Sequence, residues 1–228
     1  MNKLPTLAGL HEVTPADASA GVSVWRLELA FQKGGLNELL TRLNGEERAR
    51  CLRYRQPADR IRFATTRVIL RRMLAERLRI PLDEIKLDID SFGKPRLANR
   101  DALFFNLSHS GNFALIALSA HQPVGVDIEA ATTALDFNSL HASLTPAERR
   151  YCDESADEKA FFRVWSGKEA VLKAWGVGIA DHLQSVSVVP VAPGHYAVSF
   201  HIAAPSIEAW QLAAPAGFVA ALAVVHAA

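Results

Sequence analysis

One pattern occurs twice in the chain, and it constrains the fold more than any other feature. An aromatic residue followed by two charged residues, each four positions on, occupies 63–71 and recurs 102 residues later at 165–173. Apolar hairpin arms follow both copies, at 113–118 and 218–223. The repeat predicts an α+β fold of two similar halves about a pseudo-twofold axis, residues 1–118 and 119–228. Paired halves of this kind leave a cleft in which a ligand can bind.

The second copy lies in the stretch 161–179, which we interpret as a helix that continues into a glycine-broken loop. Apolar residues at intervals of four and seven form one buried face, and Glu169 and Lys173 lie one turn apart on an adjacent row. Gly176 and Gly178 would end the helix. An i,i+4 pair of opposite charge is compatible with an ordinary surface contact and with a site for a metal and an anion.

The distribution of charge separates the two halves. The net charge of the chain is +1, which argues against a dedicated nucleic-acid binder. Residues 1–118 nevertheless have net charge +6 and residues 119–228 net charge −5, and twelve arginines fall within 42–79. These arginines form either a solvated helix face or a surface that binds a polyanion.

Several classes of protein are not expected. No run of about 18 uncharged apolar residues is present, so we expect no membrane span, and the first 19 residues lack the apolar core of a signal peptide. Cys51 and Cys152 are far apart and outside any metal-ligand spacing, which favours reduced thiols and a cytoplasmic location.

Three carboxylates form a candidate metal site. Asp127 and Glu129 lie two apart on a predicted strand, so their side chains share a face and Ile128 points into the core. With Glu169 they would offer oxygen ligands suited to Mg²⁺. The alternative is that Asp127 and Glu129 are only an acidic strand end.

The polar segment at 106–111 shows no sign of a zinc site or of a hydrolase nucleophile. His109 has no second His or Cys at zinc spacing, so it is better suited to donate a hydrogen bond to an anion. Ser108 and Ser110 do not occupy a G-x-S-x-G elbow, and the chain contains no Walker loop and no G-x-G-x-x-G.

Four motifs occur together in an informative order: GKP at 93–95, FNLSHS at 105–110, GVDIE at 125–129 and WSGKEAVLKAWGVGI at 165–179. Their order and separations resemble the 4′-phosphopantetheinyl transferases of the surfactin-synthetase-activating (Sfp-like) type, from about residue 45 to residue 189. WxxKEAxxK joined to an upstream GVDIE is a specific combination. Members of this family are pseudo-twofold monomers of two α+β halves, in agreement with the repeat.

The resemblance implies an activity and its participants. It predicts transfer of phosphopantetheine from coenzyme A to a serine of an apo acyl or peptidyl carrier protein, with Mg²⁺ and without nucleic acid or membrane. It places Asp127, Glu129 and Glu169 at the metal and Lys173 at a phosphate of the diphosphate, with Glu169 and Lys173 as the catalytic residues. It further implies coenzyme A contacts at Arg50, Arg67, Lys94, Pro95, Ser108, His109 and Lys168, with Trp165 helping to position the helix.

Within that set, the roles differ. His109 and Arg50 would bind the 3′-phosphate, and Lys94 and Pro95 would lie along the adenine. Glu47 occupies the position of a second lysine in the surfactin-type enzyme, so the 3′-phosphate contact must be rebuilt, from Arg53 or Arg67. Glu169 is the best general base, directly or through a water.

The carrier protein would dock on the polar stretch 132–144, unless that stretch is only a connecting loop. Two other functions compete with transfer. One is a coenzyme A-binding module without transferase activity, against which the intact carboxylates and Lys173 argue. The other is a hydrolase with a similar carboxylate cluster, against which the missing nucleophile argues.

Overall fold

The structure is a computed structural model that describes residues 9–29, 35–90, 92–98, 103–131, 142–191 and 194–226. The first half contains β1 (Leu10–Glu12), β2 (Val22–Glu28), α1 (Gly35–Leu40), α2 (Gly45–Arg53), α3 (Pro57–Leu78), a 3₁₀ turn (Leu82–Glu84), β3 (Leu87–Ile89), β4 (Pro95–Leu97), β5 (Phe104–Ser110) and β6 (Phe113–Ser119). The second half contains β7 (Val124–Ala130), α4 (Pro146–Glu154), α5 (Ala160–Trp175), α6 (Ile179–His182), β8 (Val186–Pro190), β9 (Tyr196–Phe200), β10 (Ile207–Gln211) and β11 (Phe218–Val225). None of the helices in these ranges has the length and apolar character needed to cross a bilayer.

The order of strands is the same in both halves, as the sequence repeat predicted. The first sheet has the order β1-β2-β6-β5 and the second has the order β10-β11-β7, so β2, β6 and β5 correspond to β7, β11 and β10. A helix pair precedes a separate hairpin in each half: α2 and α3 before β3-β4, and α4 and α5 before β8-β9. The prediction of two similar α+β halves is confirmed.

Apolar side chains that point alternately to the two faces of the central strands fill three buried layers. A layer between α3 and the first sheet includes Ile69, Leu70, Leu74, Ile116 and Leu118. A layer between the two sheets includes Val24, Leu115, Val126, Ile128, Leu222 and Val224. A layer between α5 and the second sheet includes Val171, Leu172, Val186, Ala221 and Ala223. Because β6 and β11 contribute to two layers each, the halves share one continuous core.

The backbone of α5 lies directly against β7 at a glycine. A Cβ atom added at Gly125 would stand 2.1 Å from the carbonyl oxygen of Ala170 and 2.4 Å from the amide nitrogen of Ala174. Only glycine permits this approach. The contact fixes the distance between Asp127, two residues further along β7, and the side chains on the facing turn of α5.

The helix predicted in 161–179 ends where its glycines indicated. It runs from Ala160 to Trp175, with Gly176 in the left-handed conformation at φ 80° as its C-cap, and the short helix α6 follows where only a loop was expected. A tight turn at Gly111 and Asn112 joins β5 to β6, because His109 and Ser110 still pair with β6. Thr145 and Glu148 form a capping box at the start of α4.

Candidate active site

Three carboxylates from two elements meet beside the contact between β7 and α5. Asp127 and Glu129 lie on one face of β7, Ile128 between them points into the core, and Glu169 comes from α5. One oxygen from each carboxylate lies within 4.8 Å of the others. The pairing that the alternation along 127–129 predicted is present, and α5 supplies the third member.

Lys173 lies between two of these carboxylates. Its Nζ is 2.6 Å from Oδ1 of Asp127 and 3.0 Å from Oε2 of Glu169. Burial alone would lower the pKa of Lys173, but the attraction of Asp127 and Glu169 outweighs it and raises the pKa above its usual value. The Glu169–Lys173 pair is therefore part of a largely buried cluster and not an exposed i,i+4 surface contact.

One ammonium does not balance this cluster. Burial, followed by repulsion from Asp127 and Glu169, raises the pKa of Glu129 to about 7. The Oδ2 atom of Asp127 is buried and has no hydrogen-bond partner among the described residues. Hard oxygen donors with an unused buried lone pair suit a divalent cation, so the residues fit a metal.

The carboxylates open onto a cavity of about 320 Å³ that both halves line. The second half contributes Asp127, Glu129, Glu169 and Lys173. The first half contributes Arg50, Tyr54, Phe63, Thr66, Arg67, Pro95, Leu107, Ser108 and His109. A single cleft thus joins an acidic wall to a basic wall, as the charge asymmetry of the sequence suggested.

Ser108 and His109 lie between these walls. The hydroxyl of Ser108 donates to Oδ1 of Asp127 at 2.8 Å, so it is committed to a carboxylate, and the described residues give it no histidine partner that would activate it as a nucleophile. Burial lowers the pKa of His109, and the charges of Arg62 and Lys173 lower it further. Among the described residues the only group of three or more His, Cys, Asp or Glu able to hold a metal is the carboxylate trio.

Comparison with known proteins identifies the family. Residues 123–223 match the 4′-phosphopantetheinyl transferase superfamily, and residues 32–121 match the 4′-phosphopantetheinyl transferase N-terminal family. The chain is 38% identical over 180 residues to 4′-phosphopantetheinyl transferase HetI of Nostoc, covering 75% of this chain and 76% of HetI. The chain belongs to the 4′-phosphopantetheinyl transferase family.

Two other relatives extend this result. A phosphopantetheinyl transferase of Thraustochytrium is 35% identical over 188 residues, 74% of this chain and 65% of that protein. 4′-Phosphopantetheinyl transferase Sfp of Bacillus subtilis is 28% identical over 151 residues, 64% of this chain and 66% of Sfp. The resemblance that the motifs indicated is confirmed, and this chain is a transferase of phosphopantetheine to carrier proteins.

Arg67 of the transferase is the buried centre of the basic wall. Its guanidinium and that of Arg50 lie over the ring of Phe63, 5.3 Å and 5.7 Å from the centroid. Glu47 approaches Arg67 and Arg71 no closer than 3.6 Å, too far for hydrogen bonds. The Nη1 atom of Arg67 is buried without a hydrogen-bond partner in the described chain, and burial lowers the pKa of Arg67.

Glu47, which occupies the position of a second lysine in the surfactin-type enzyme, lies outside the cavity. The side chain of Glu47 is occupied in the capping box of α2 and beside the two arginines, and it does not line the cavity with the carboxylates. Of the two arginines considered as replacements, Arg67 lines that cavity. Arg53 lines a neighbouring cavity of about 300 Å³, which Arg50, Phe63 and Arg67 also line.

Lys168 of the transferase lies away from the cavity. Its Nζ is 2.6 Å from Oε2 of Glu148 and donates to the carbonyl oxygens of Ser143 and Leu183, and the side chains of the Lys168–Glu148 pair are fully buried. The resemblance grouped Lys168 with the coenzyme A ligands, but here the ammonium joins α5 to α4. Trp165 stacks on Phe161 at 6.1 Å and packs beside the same region.

Lys94 joins the two halves. Its Nζ donates to the carbonyl oxygen of Lys173 at 2.8 Å, in the last turn of α5, and an ammonium is favourable at a helix C-terminus. Burial lowers the pKa of Lys94 to about 8, against the attraction of Asp90. Lys94 and Pro95 also line a second, more apolar cavity of about 500 Å³ that shares Lys173 and Leu107 with the first.

The sequence did not reveal several lining residues, among them Tyr54, Phe63, Thr66 and Leu107. An aromatic residue on an apolar helix face signals only a core position. The proposed docking stretch 132–144 lies outside the described residues except for its last three positions.

Proposed function

We propose that this transferase binds coenzyme A across the cleft, with its phosphates between the two walls, and transfers 4′-phosphopantetheine to the serine of an apo acyl or peptidyl carrier protein. The single observation that carries the proposal is the cavity in which a carboxylate trio faces the buried guanidinium of Arg67, whose Nη1 has no hydrogen-bond partner among the described residues. Coenzyme A has both chemical features that such a cleft would bind: a diphosphate that can share a metal, and a separate 3′-phosphate.

The basic wall supports a site for the 3′-phosphate. Arg50 and Arg67 are held in place over Phe63, and Nη1 of Arg67 has no hydrogen-bond partner in the ranges that the structure describes. Guanidinium groups bind phosphate oxygens with two parallel hydrogen bonds. His109 of β5 also lines the cavity and is a further hydrogen-bond donor to a phosphate oxygen.

The acidic wall supports a site for the diphosphate. Asp127, Glu129 and Glu169 would hold Mg²⁺, which would neutralise charge on the diphosphate and on the departing adenosine 3′,5′-bisphosphate. Lys173 would place its ammonium against a phosphate oxygen. Because Lys173 stays charged in this environment, it can supply a fixed positive charge where the leaving group becomes more negative.

The second cavity supports a site for the adenine. Lys94 and Pro95, which the resemblance places along the adenine, line this cavity, and Phe92, Leu107 and Ile179 supply apolar surface there. Because Lys173 belongs to both cavities, the adenine can lie in the second cavity while the phosphates reach Lys173 and the carboxylates in the first.

Glu169 is the residue that we assign as general base. Burial, and then repulsion from Asp127, raises the pKa of Glu169 in spite of the nearby Lys173, which brings the carboxylate closer to the pKa of an effective base. The serine oxygen of the carrier forms a bond to the β-phosphorus of coenzyme A. Its proton passes to Glu169, and the bond from this phosphorus to adenosine 3′,5′-bisphosphate breaks.

We also propose that the protein is a monomer, as its resemblance to the family implies. Its net charge of +1 argues against nucleic acid as a partner, and two cysteines far apart in the sequence favour reduced thiols and a cytoplasmic location. The intact mass of apo-carrier proteins incubated with the enzyme, coenzyme A and Mg²⁺ tests the function. We expect the mass of one phosphopantetheine to be added to at least one carrier. Binding of coenzyme A with no mass gain on fatty-acid, polyketide or peptide-synthetase carriers would instead favour the binding-module alternative.

A further inference from the structure

The two halves meet at strands that would both be open sheet edges. β5 is the last strand of the first sheet and β7 is the last strand of the second, and the two pack side by side. No backbone ladder joins them in the described part of the chain. An edge strand at a buried boundary must find other partners for its amides.

Side chains of β5 supply those partners at regular intervals. The amide of Val126 donates to Oδ1 of Asn106 at 2.9 Å. The amide of Ile128 donates to the hydroxyl of Ser108 at 3.3 Å, and the amide of Ala130 to that of Ser110 at 3.0 Å. Each pair is 20 residues apart, so three side-chain rungs hold β5 and β7 in a fixed parallel register.

Two of the rungs have a second contact. The hydroxyl of Ser108 donates to Asp127 at 2.8 Å, and the hydroxyl of Ser110 donates to Oε2 of Glu129 at 3.3 Å. A hydroxyl can do both, because it has one proton to donate and two lone pairs to accept with. The rung at Asn106 has no carboxylate beside it, since the corresponding position on β7 is Gly125.

We infer that Ser110 is a positioning residue for the metal site: its hydroxyl fixes the carboxylate of Glu129 while it holds the amide of Ala130. This inference rests on the proposed function in that it takes Glu129 to be a metal ligand. Ser108 has the same double contact, but it also lines the coenzyme A cavity, whereas Ser110 does not. Ser110 therefore separates orientation of the carboxylate from contact with the substrate.

Loss of the Ser110 hydroxyl should weaken the binding of metal more than the binding of coenzyme A. Glu129 lies beside two other carboxylates that repel it, so without the Ser110 hydroxyl its side chain would be free to turn away. Loss of a hydrogen-bond partner that orients a metal ligand costs about 10- to 100-fold in metal affinity. The guanidiniums of Arg50 and Arg67 are in the other wall and would be unaffected.

The test measures binding of Mn²⁺, as a paramagnetic substitute for Mg²⁺, by electron paramagnetic resonance on the free enzyme. Glu129→Gln first identifies the relevant site, as the binding that this variant weakens. We expect Ser110→Ala to weaken that binding about 10-fold, with the affinity for coenzyme A in EDTA changed less than twofold. Ser119→Ala is the matched control, because its hydroxyl also accepts a backbone amide, that of Gln122, but lies away from the site.

Three results separate the possible outcomes. Unchanged Mn²⁺ binding by Ser110→Ala overturns the inference, and so does an equal loss of coenzyme A affinity in EDTA. Absence of Mn²⁺ binding by the wild-type protein contradicts the metal site of the proposed function itself. If Ser110→Ala does not fold, the isosteric pair Ser110→Thr and Ser110→Val takes its place, and equal Mn²⁺ affinity in these two variants would overturn the inference.

Discussion

The Nζ atom of Lys168 lies 2.6 Å from Oε2 of Glu148, and both side chains are completely buried. Glu148 also accepts the amides of Thr145 and Val188, so one carboxylate caps α4 and holds it against α5 and β8. The corresponding carboxylate of the first half, Glu47, caps α2 and faces two arginines of α3 instead. Both halves thus have a buried glutamate near the start of the corresponding helix, but its cationic partner differs. It is Lys168 in the second half and a pair of arginines, Arg67 and Arg71, in the first.

We predict that Lys168→Met mainly reduces stability. It leaves a buried carboxylate without its cation, a loss that typically lowers the free energy of unfolding by about 3–5 kcal/mol. Urea unfolding measures this. Glu208→Gln, which breaks an exposed contact with His226, is the control and should cost less than about 1 kcal/mol. If the folded variant instead loses coenzyme A affinity at normal stability, Lys168 is a ligand after all.

Gly125→Ala tests the contact that brings β7 and α5, which carry the three carboxylates, together. The added methyl group would overlap the backbone of α5 at Ala170 and Ala174, so the helix must move away from β7. We expect a loss of about 1–3 kcal/mol in the free energy of unfolding, together with weaker metal binding. Gly45→Ala is the control, because nothing lies within 4 Å of the added Cβ atom. A variant that keeps normal stability and metal affinity would mean that the close approach is not needed.

The lowered pKa of Lys94 predicts that the free energy of unfolding depends on pH. Burial lowers its pKa to about 8 in the folded protein from about 10.5 in the unfolded chain. Between these values the unfolded state binds more protons, so stability rises with pH, and the cost of burying the charge is complete below pH 8. Relative to Lys94→Met, the wild type should therefore gain stability from pH 8 to pH 10 in urea unfolding. A constant difference over that interval would contradict the lowered pKa.

The 3′-phosphate site is tested by a substrate that lacks this phosphate. Arg50→Ala removes a charge-assisted hydrogen bond of about 1.5–3 kcal/mol, so the KM for coenzyme A should rise about 10-fold or more, and the KM for 3′-dephospho-coenzyme A should change little. His109→Ala should show the same selectivity to a smaller degree. Arg48→Ala is the control, since Arg48 is an exposed arginine of the same helix that lines neither cavity. Equal effects on both substrates would remove the assignment.

Local spacing predicted much of the fold and the acidic wall of the cleft, and contacts between distant residues account for the rest. The period of two placed Asp127 and Glu129 on one face, and the period of four placed Glu169 beside Lys173. The same helical geometry turns Lys168 about 100° away from Glu169, which is why it faces α4 and not the cleft. The sequence around Glu148 indicates a capping residue and no more. Its pairing with Lys168 could not be predicted, because nothing in a single sequence relates residues 20 positions apart on two helices.

The final prediction separates the two tasks assigned to Glu169. Asp127 is assigned metal binding alone, so Asp127→Ala should slow transfer and raised Mg²⁺ should restore part of the rate. Glu169→Gln keeps the shape and one oxygen ligand but cannot accept a proton, and loss of a general base typically costs about 10²–10⁴ in rate. Added metal should not restore it. Glu154→Gln, an exposed carboxylate at the end of α4, is the control and should transfer at the wild-type rate.

Single-turnover transfer to an apo-carrier across a Mg²⁺ titration distinguishes these cases, because product release does not contribute. Full recovery of Glu169→Gln at high Mg²⁺ would make Glu169 a metal ligand only. A wild-type rate at every Mg²⁺ concentration would exclude it from both roles. The raised pKa of Glu169 predicts the remaining result, a slow variant that metal does not repair, because a carboxylate kept partly dry by α5 and β7 accepts the serine proton more readily than an exposed carboxylate, while an amide cannot accept it.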